Sequence, residues 1–168
     1  PEAQADVDDL RRISPKEPRA SYLQALLAER NNQPDVARQA LKELVGLIDP
    51  VPMDFIRYRP QLLMLNGLAH YGLNEREKAK QYLEVFQRSQ SNTPASKLLA
   101  QIHLSESSTD RAIEVLESYL KANPADGQAM TLLAGALMSK GQHARASSLM
   151  QQALQSTDAP EFRSVLGL

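Results

Sequence analysis

Small residues recur in pairs twelve positions apart, and no other feature of this sequence narrows its fold as much. Ala25 and Ala37 form one pair, Gly67 and Ala79 a second, Ala100 and Ala112 a third, and Ala134 and Ala146 a fourth. Roughly midway in each pair stands a residue suited to a turn or a left-handed backbone: Asn32, Asn74, Ser107 and Gly141. Each pair therefore spans two helices. Four residues after each second small residue come Leu41, Leu83, Leu116 and Met150, and three further on Leu44, Phe86, Tyr119 and Ala153, the spacing of one helical face. Antiparallel helices that approach closely at a crossing leave room there only for a side chain of alanine or glycine size. The large apolar residues then fill the space between one helix pair and the next, a face that no pair covers alone.

The steps between second small residues, read from Ala37, Ala79, Ala112 and Ala146, are 42, 33 and 34. Two match a unit of about 34 residues, the length of a helix-turn-helix repeat. The other carries eight extra residues, which fall in Asp49-Pro50-Val51-Pro52-Met53-Asp54 and lengthen either the connection or the first helix of the second repeat. A step of 34 back from Ala37 reaches Ala3, followed by Val7, Leu10 and Pro15, so a preceding repeat leaves its second helix here. The expected fold is all-α, a right-handed superhelical solenoid of antiparallel helix pairs. Its expected partition is 1–17 for the end of a preceding repeat, 18–50, 51–92, 93–126 and 127–159 for four repeats, and 160–168 for the start of a truncated one.

Local signals support the partition. Thr93-Pro94 offers a capping hydroxyl before a proline. Asn74 with Glu77 reads as a capping box. Ser14-Pro15 and Asn123-Pro124 end helices, because a residue before proline avoids the α region. The chain begins at Pro1, and Glu161 to Leu168 open an amphipathic stretch that stops, so it reads as a segment of a longer protein. Phe162, Val165, Leu166 and Leu168 would then lack their covering helix and pack against a neighbouring molecule, a dimer partner or nothing.

Chemistry is thinly represented. Without cysteine there are no disulfides, thiolate nucleophiles or cysteine metal sites. A net charge of −1 lacks the electrostatic footprint of a nucleic-acid binder. No apolar run approaches the roughly 18 residues that span a bilayer, so any membrane attachment would come through an anchor outside this segment. Of three histidines, His70 and His103 share a repeat position and His143 opens a later helix. Packing or solvation explains them, since no zinc-binding His-Glu-x-x-His spacing or carboxylate pair accompanies them. Asp6, Asp8 and Asp9 read as a solvated helix face. No phosphate loop occurs, and no catalytic residue, cofactor or metal is expected.

The small-residue pairing, the apolar residue four later and the repeat-ending proline resemble the tetratricopeptide repeat, and Leu133-Ala134 with Gly141, Ala146 and Ala153 is similar to its motif. Departures are the lack of Trp, Ser107 in place of the usual turn glycine, and Ser21 where a bulky residue is commoner. A narrower likeness lies in Tyr22-Leu23-Gln24-Ala25-Leu26-Leu27-Ala28, Asn66-Gly67-Leu68-Ala69-His70-Tyr71-Gly72-Leu73, Ala79-Lys80-Gln81-Tyr82-Leu83, Ser96-Lys97-Leu98-Leu99-Ala100 and Asp110-Arg111-Ala112-Ile113-Glu114-Val115-Leu116. These segments resemble the large repeat lipoprotein of the PEP-CTERM/exosortase system. That resemblance implies a Gram-negative protein on the periplasmic side of the envelope, anchored in the outer membrane, that scaffolds protein sorting or exopolysaccharide export.

In solenoids of this kind the first helices line the concave side, and that surface usually binds. Counting along the repeats places there Tyr22, Leu26, Glu29 and Arg30, then Gln61, Met64, Leu68 and Tyr71, then Lys97, Gln101 and Leu104, then Gln128, Thr131 and Met138. Tyrosine and methionine give adaptable apolar contact, which suits an extended peptide or an amphipathic helix, though several of these positions read equally as packing residues. A protein or peptide partner is therefore expected. A cytoplasmic adaptor or co-chaperone is the alternative, but of the basic set such grooves use for acidic carboxyl termini only Lys97 fits. An oligosaccharide stacked on Tyr22, Tyr71 and Gln101 is the third reading.

Overall fold

A computed structural model describes residues 2–157, and these form ten helices with no strand among them. Two compact units divide the chain, residues 1–89 and 90–168. The first contains α1 (Glu2–Ile13), α2 (Pro18–Arg30), α3 (Pro34–Ile48), the single turn α4 (Met53–Ile56), α5 (Pro60–Gly72) and α6 (Arg76–Ser89). In it α2 packs on α1, α3 and α5, α3 on α5, and α5 on α6. The second contains α7 (Ala95–Ser105), α8 (Thr109–Ala122), α9 (Gly127–Ser139) and α10 (His143–Thr157), with α8 packed on α7 and α9, and α9 on α10.

All four predicted turn residues adopt the left-handed conformation: Asn32 at φ 56°, Asn74 at 64°, Ser107 at 61° and Gly141 at 74°. Each closes its helix with the same pair of bonds. The N–H groups of Gln33, Glu75, Ser108 and Gln142 reach back to the carbonyls of Ala28, His70, His103 and Leu137, all at 2.8–2.9 Å. The left-handed residue itself bonds three positions back, to Glu29, Tyr71, Leu104 and Met138. This double closure satisfies carbonyls that a helix end leaves orphaned. Asparagine tolerates that backbone region, and Ser107 adopts it in place of glycine. Asn92, at φ 67°, is a fifth such residue that periodicity did not indicate.

The crossings are tight where the small residues stand. Ala25, Ala37, Ala79, Ala100, Ala112, Ala134 and Ala146 are all buried, and a Cβ built on Gly67 would lie 2.7 Å from Leu83 Cγ. Around them Leu41, Leu44, Leu83, Phe86, Leu116 and Tyr119 form the core, as expected from their spacing. Met150 departs from the pattern at 38% exposed, since it lies on the last described helix. Of the trailing repeat at the start, Val7 is buried and Leu10 half-buried, while the side chain of Ala3 lies outside those described. Phe162, Val165, Leu166 and Leu168 also lie outside the described residues.

The extra residues after Asp49 lengthen the connection and leave the first helix alone: α5 has 13 residues, as do α2 and α9. Two capping expectations fail. Asn74 belongs to the end of α5 and Glu75 precedes α6, so Glu77 does not close a capping box and instead pairs with Lys80 at 3.1 Å. Pro94 precedes α7 in αR geometry, and the Thr93 hydroxyl is buried with no hydrogen-bond partner while its carbonyl receives Ser96 N–H at 2.9 Å.

Candidate functional site

In the unit of residues 1–89 the first-helix face comes from α2 and α5, which touch each other. Tyr22, Leu26 and Glu29 follow one another at four and three residues along α2 and so share a side. Tyr22 is half-buried, and burial first, then the Glu29 charge, raises its phenol above the usual range. Leu26 is 43% exposed, Glu29 and Arg30 lie in solvent, and Leu23 beside them is exposed as well. On α5, Gln61 is exposed, Met64 and Leu68 are half-buried, and Tyr71 is 39% exposed. This face is mixed, with apolar contact area accessible between polar groups.

In the unit of residues 90–168 the corresponding residues are more engaged. Lys97 Nζ lies 2.8 Å from Asp126 Oδ2 and 3.0 Å from Gln128 Oε1, and 5.8 Å from the centre of the Tyr119 ring. Gln101 is half-buried, and Leu104 packs against the core around Leu116 and Leu133. Thr131 donates its hydroxyl to the Gly127 carbonyl at 2.8 Å, and Gln128 and Met138 are exposed.

Asp126 organises that region. Its Oδ1 accepts the Ala129 N–H at 3.0 Å, capping α9, and its Oδ2 accepts the Tyr119 hydroxyl at 2.8 Å. Burial works against its ionisation, but the Lys97 ammonium, the Ala129 N–H and the Tyr119 hydroxyl outweigh it and bring the carboxyl down to about 2. A folded value below the ordinary 3.8 means that the ionised group stabilises the fold above that pH and loses this contribution as pH falls toward about 2. In urea unfolding between pH 5 and pH 2, Asp126→Asn should therefore show a shallower acid loss than the native chain. Parallel pH profiles would remove Asp126 as an acid-sensitive anchor.

A second carboxylate plays the equivalent part in the first unit, and periodicity did not reveal it. Asp49, just past α3, accepts at Oδ1 from Asn66 Nδ2 at 2.9 Å and Tyr82 hydroxyl at 3.3 Å, and lies 2.8 Å from His70 Nε2. Lys78 Nζ approaches its Oδ2 at 3.2 Å. His70, fully buried, stacks on Tyr82 with ring centres 5.6 Å apart and presents Nδ1 to Glu75 Oε2 at 2.7 Å. Burial raises the Asp49 pKa, but the Asn66, His70 and Lys78 contacts more than offset this and hold it below the usual range. Asp49 and Glu75 sit on opposite edges of the imidazole, so they do not converge on one ion. Among the described residues no group of three or more potential ligands could hold a metal. A Lys-Asp-Tyr trio thus recurs, Lys78-Asp49-Tyr82 in one unit and Lys97-Asp126-Tyr119 in the other, and it ties helix ends together. The N-cap preference for aspartate could have found Asp126; Asp49 gave only the weaker cue of a charge just after the last apolar residue of α3.

Helix pairs that cross at alanine or glycine, close through left-handed turns and stack on their neighbours define a helical-repeat protein. The repeats are tetratricopeptide repeats: residues 1–52 and residues 103–168 each match a family model of that description. Solved structures agree in fold. MamA (residues 41 to the end) from Desulfovibrio magneticus RS-1 is 22% identical with a TM-score of 0.61, over 83% of this chain and 75% of that one. Another MamA crystal structure is 18% identical with a TM-score of 0.68, over 90% and 85%. Pseudomonas aeruginosa pilF is 16% identical with a TM-score of 0.69, over 92% of this chain and 68% of that one. None of the curated proteins matches. Tetratricopeptide repeats are, as a rule, a protein-interaction fold without catalysis, and the chain is an interaction scaffold in that general sense.

Proposed function

We propose that this scaffold holds an extended peptide or amphipathic helix on its first-helix faces and serves a bacterial envelope assembly for protein sorting or exopolysaccharide export. The observation that carries the peptide reading is the α2/α5 face, where Leu26 and Tyr71 keep 43% and 39% of their surface in water on adjacent helices. Exposed aromatic and aliphatic groups on a rigid framework lose little side-chain entropy on binding. Glu29, Arg30 and Gln61 beside them supply polar contacts that fix orientation. The envelope setting rests on the likeness to the PEP-CTERM/exosortase lipoprotein, with its periplasmic location and outer-membrane anchor outside this segment. In the second unit, Lys97 is committed to Asp126 and Gln128, which speaks against a clamp for an acidic carboxyl terminus.

Photo-crosslinking in the native host tests both parts. A benzoylphenylalanine at Leu26 or Tyr71 of the full-length protein should capture proteins of the envelope fraction, and one at exposed Arg38 on α3 should not. Capture of cytosolic chaperones alone would favour the adaptor reading, and equal labelling from all three positions would remove the face as the binding surface.

A further inference from the structure

The eight-residue excess of the second repeat builds a surface of its own, beyond the first-helix faces. Between Asp49 and α5 the chain displays Phe55 at 70% and Tyr58 at 72% exposure, with Val51 also exposed. A flexible loop with two aromatics in water would be unremarkable, but this segment is held. Pro50, Pro52 and Pro60 restrict its backbone. The N–H groups of Val51, Phe55, Ile56, Arg57 and Arg59 all bond to carbonyls within it or at its base, at 2.8–3.2 Å. Asp49 anchors one end through Asn66, His70, Tyr82 and Lys78, and the wholly buried Ile56 pins the turn α4 against the unit. Ile56, buried, and Met53, half-buried, take the inward side of the turn, and Phe55 and Tyr58 are held outward.

The charge beside them is specific. Arg57 lies 4.8 Å from the Tyr58 ring centre and donates to its hydroxyl at 2.8 Å, leaving Asp54 at 3.8 Å as its only acidic neighbour among the described residues. Arg59 makes no ion pair among the described residues. The segment therefore carries one positive charge in excess, on a chain whose net charge is −1. Aromatic and arginine side chains on a pre-organised framework are the composition of interface hot spots. Three exposed apolar side chains with Asp54 among them are too few for a lipid surface, where binding grows with buried apolar area.

We infer that the turn around Phe55 and Tyr58 is a docking point for an acidic peptide segment of another protein, its apolar side chain covering the two rings and its carboxylates meeting Arg57 and Arg59. A displayed library of random twelve-residue peptides, panned against the full chain, tests this. Peptides that combine aspartate or glutamate with a large apolar residue should be enriched. Their affinity should fall roughly thirtyfold or more in Phe55→Ser/Tyr58→Ser, the effect of losing a hot-spot aromatic. It should fall about tenfold in Arg59→Glu, and weaken with added salt. Leu26→Ser, on the α2 face, should leave it unchanged, which separates this surface from the first-helix one. Because both rings are exposed, the urea midpoint of the double variant should match that of the native chain. A selection in which no enriched peptide that joins acidic residues to a large apolar one loses affinity in the double variant, or in which all of them lose it in Leu26→Ser instead, would overturn the inference. So would loss, in the same variant, of binding to phosphatidylglycerol vesicles or of a self-associated dimer in place of peptide binding.

Discussion

Asp49→Ala should lower the unfolding free energy by about 2–5 kcal/mol, read as a drop in urea midpoint with little change in slope. The size follows from what the carboxylate serves. Asn66 and His70 are fully buried and lose an acceptor at 2.9 and 2.8 Å, and an unsatisfied buried donor costs about 1–3 kcal/mol. Asn66 is already strained in this respect, since its Oδ1 has no hydrogen-bond partner. Lys78, at 3.2 Å, adds less because it is exposed to solvent, and the hydroxyl of buried Tyr82, at 3.3 Å, makes the longest of the four contacts. Asp49→Asn keeps one acceptor oxygen and should lose roughly half as much. The Asp49 pKa lies below its ordinary value, so this stabilisation is present above about pH 4 and fades as the pH falls further. A midpoint for Asp49→Ala within about 0.5 kcal/mol of the native chain, the range of ordinary surface changes, would reduce the network to surface decoration. The same variant should also loosen the base of the Phe55/Tyr58 turn, which makes it an unsuitable probe of binding there.

Why one anchor could be read in the sequence and the other could not is a matter of range. Turns and crossings are written in spacings of a few residues: Asn32, Asn74, Ser107 and Gly141 declare a left-handed backbone, and alanine or glycine declares the crossing. The Asp49 network joins residues 17, 21, 29 and 33 positions away on two other helices. No periodicity reports such a meeting, because helical patterns specify which face is apolar and leave open which polar group of one helix end will meet another helix. Capping was misread at Asn74 and Thr93 for a related reason. A residue that fits both a left-handed turn and an N-cap is assigned by the closing bonds of the preceding helix, and at Asn74 those bonds claimed it first. The inserted segment showed itself as a break in the repeat length, but the outward placement of Phe55 and Tyr58 depends on Ile56 taking the inward position of a single turn. The first-helix residues were located by counting, and their differing engagement came from partners the count does not contain, as with Lys97 and Asp126.

Glycine substitutions of opposite sign put the crossing rule to its hardest test. Gly67 and Gly135 both lie inside helices, where replacement by alanine ordinarily stabilises by about 0.5–1 kcal/mol through the entropy of the unfolded chain. At Gly135 a Cβ meets nothing within 4 Å, so Gly135→Ala should gain that amount. At Gly67 the added carbon would stand 2.7 and 2.8 Å from Leu83 Cγ and Cδ2, and Leu83 is itself buried at the next position of the core. The Cγ is a branch point and cannot swing away as a flexible chain end could, so the helices α5 and α6 must move apart or Leu83 must leave its rotamer. Gly67→Ala should therefore destabilise despite the better helix former. Gly67→Leu should cost about 3 kcal/mol or more, at the upper end of overpacking effects. Thermal melts of the three variants against the native chain decide the matter. If Gly67→Ala melts at or above the native temperature, the crossing is not set by the size of this residue, and small-residue spacing loses its meaning as the cause of the helix pairing. If Gly135→Ala gains stability while Gly67→Ala loses it, helix propensity and crossing clearance are separated within one chain at two glycines of the same secondary structure.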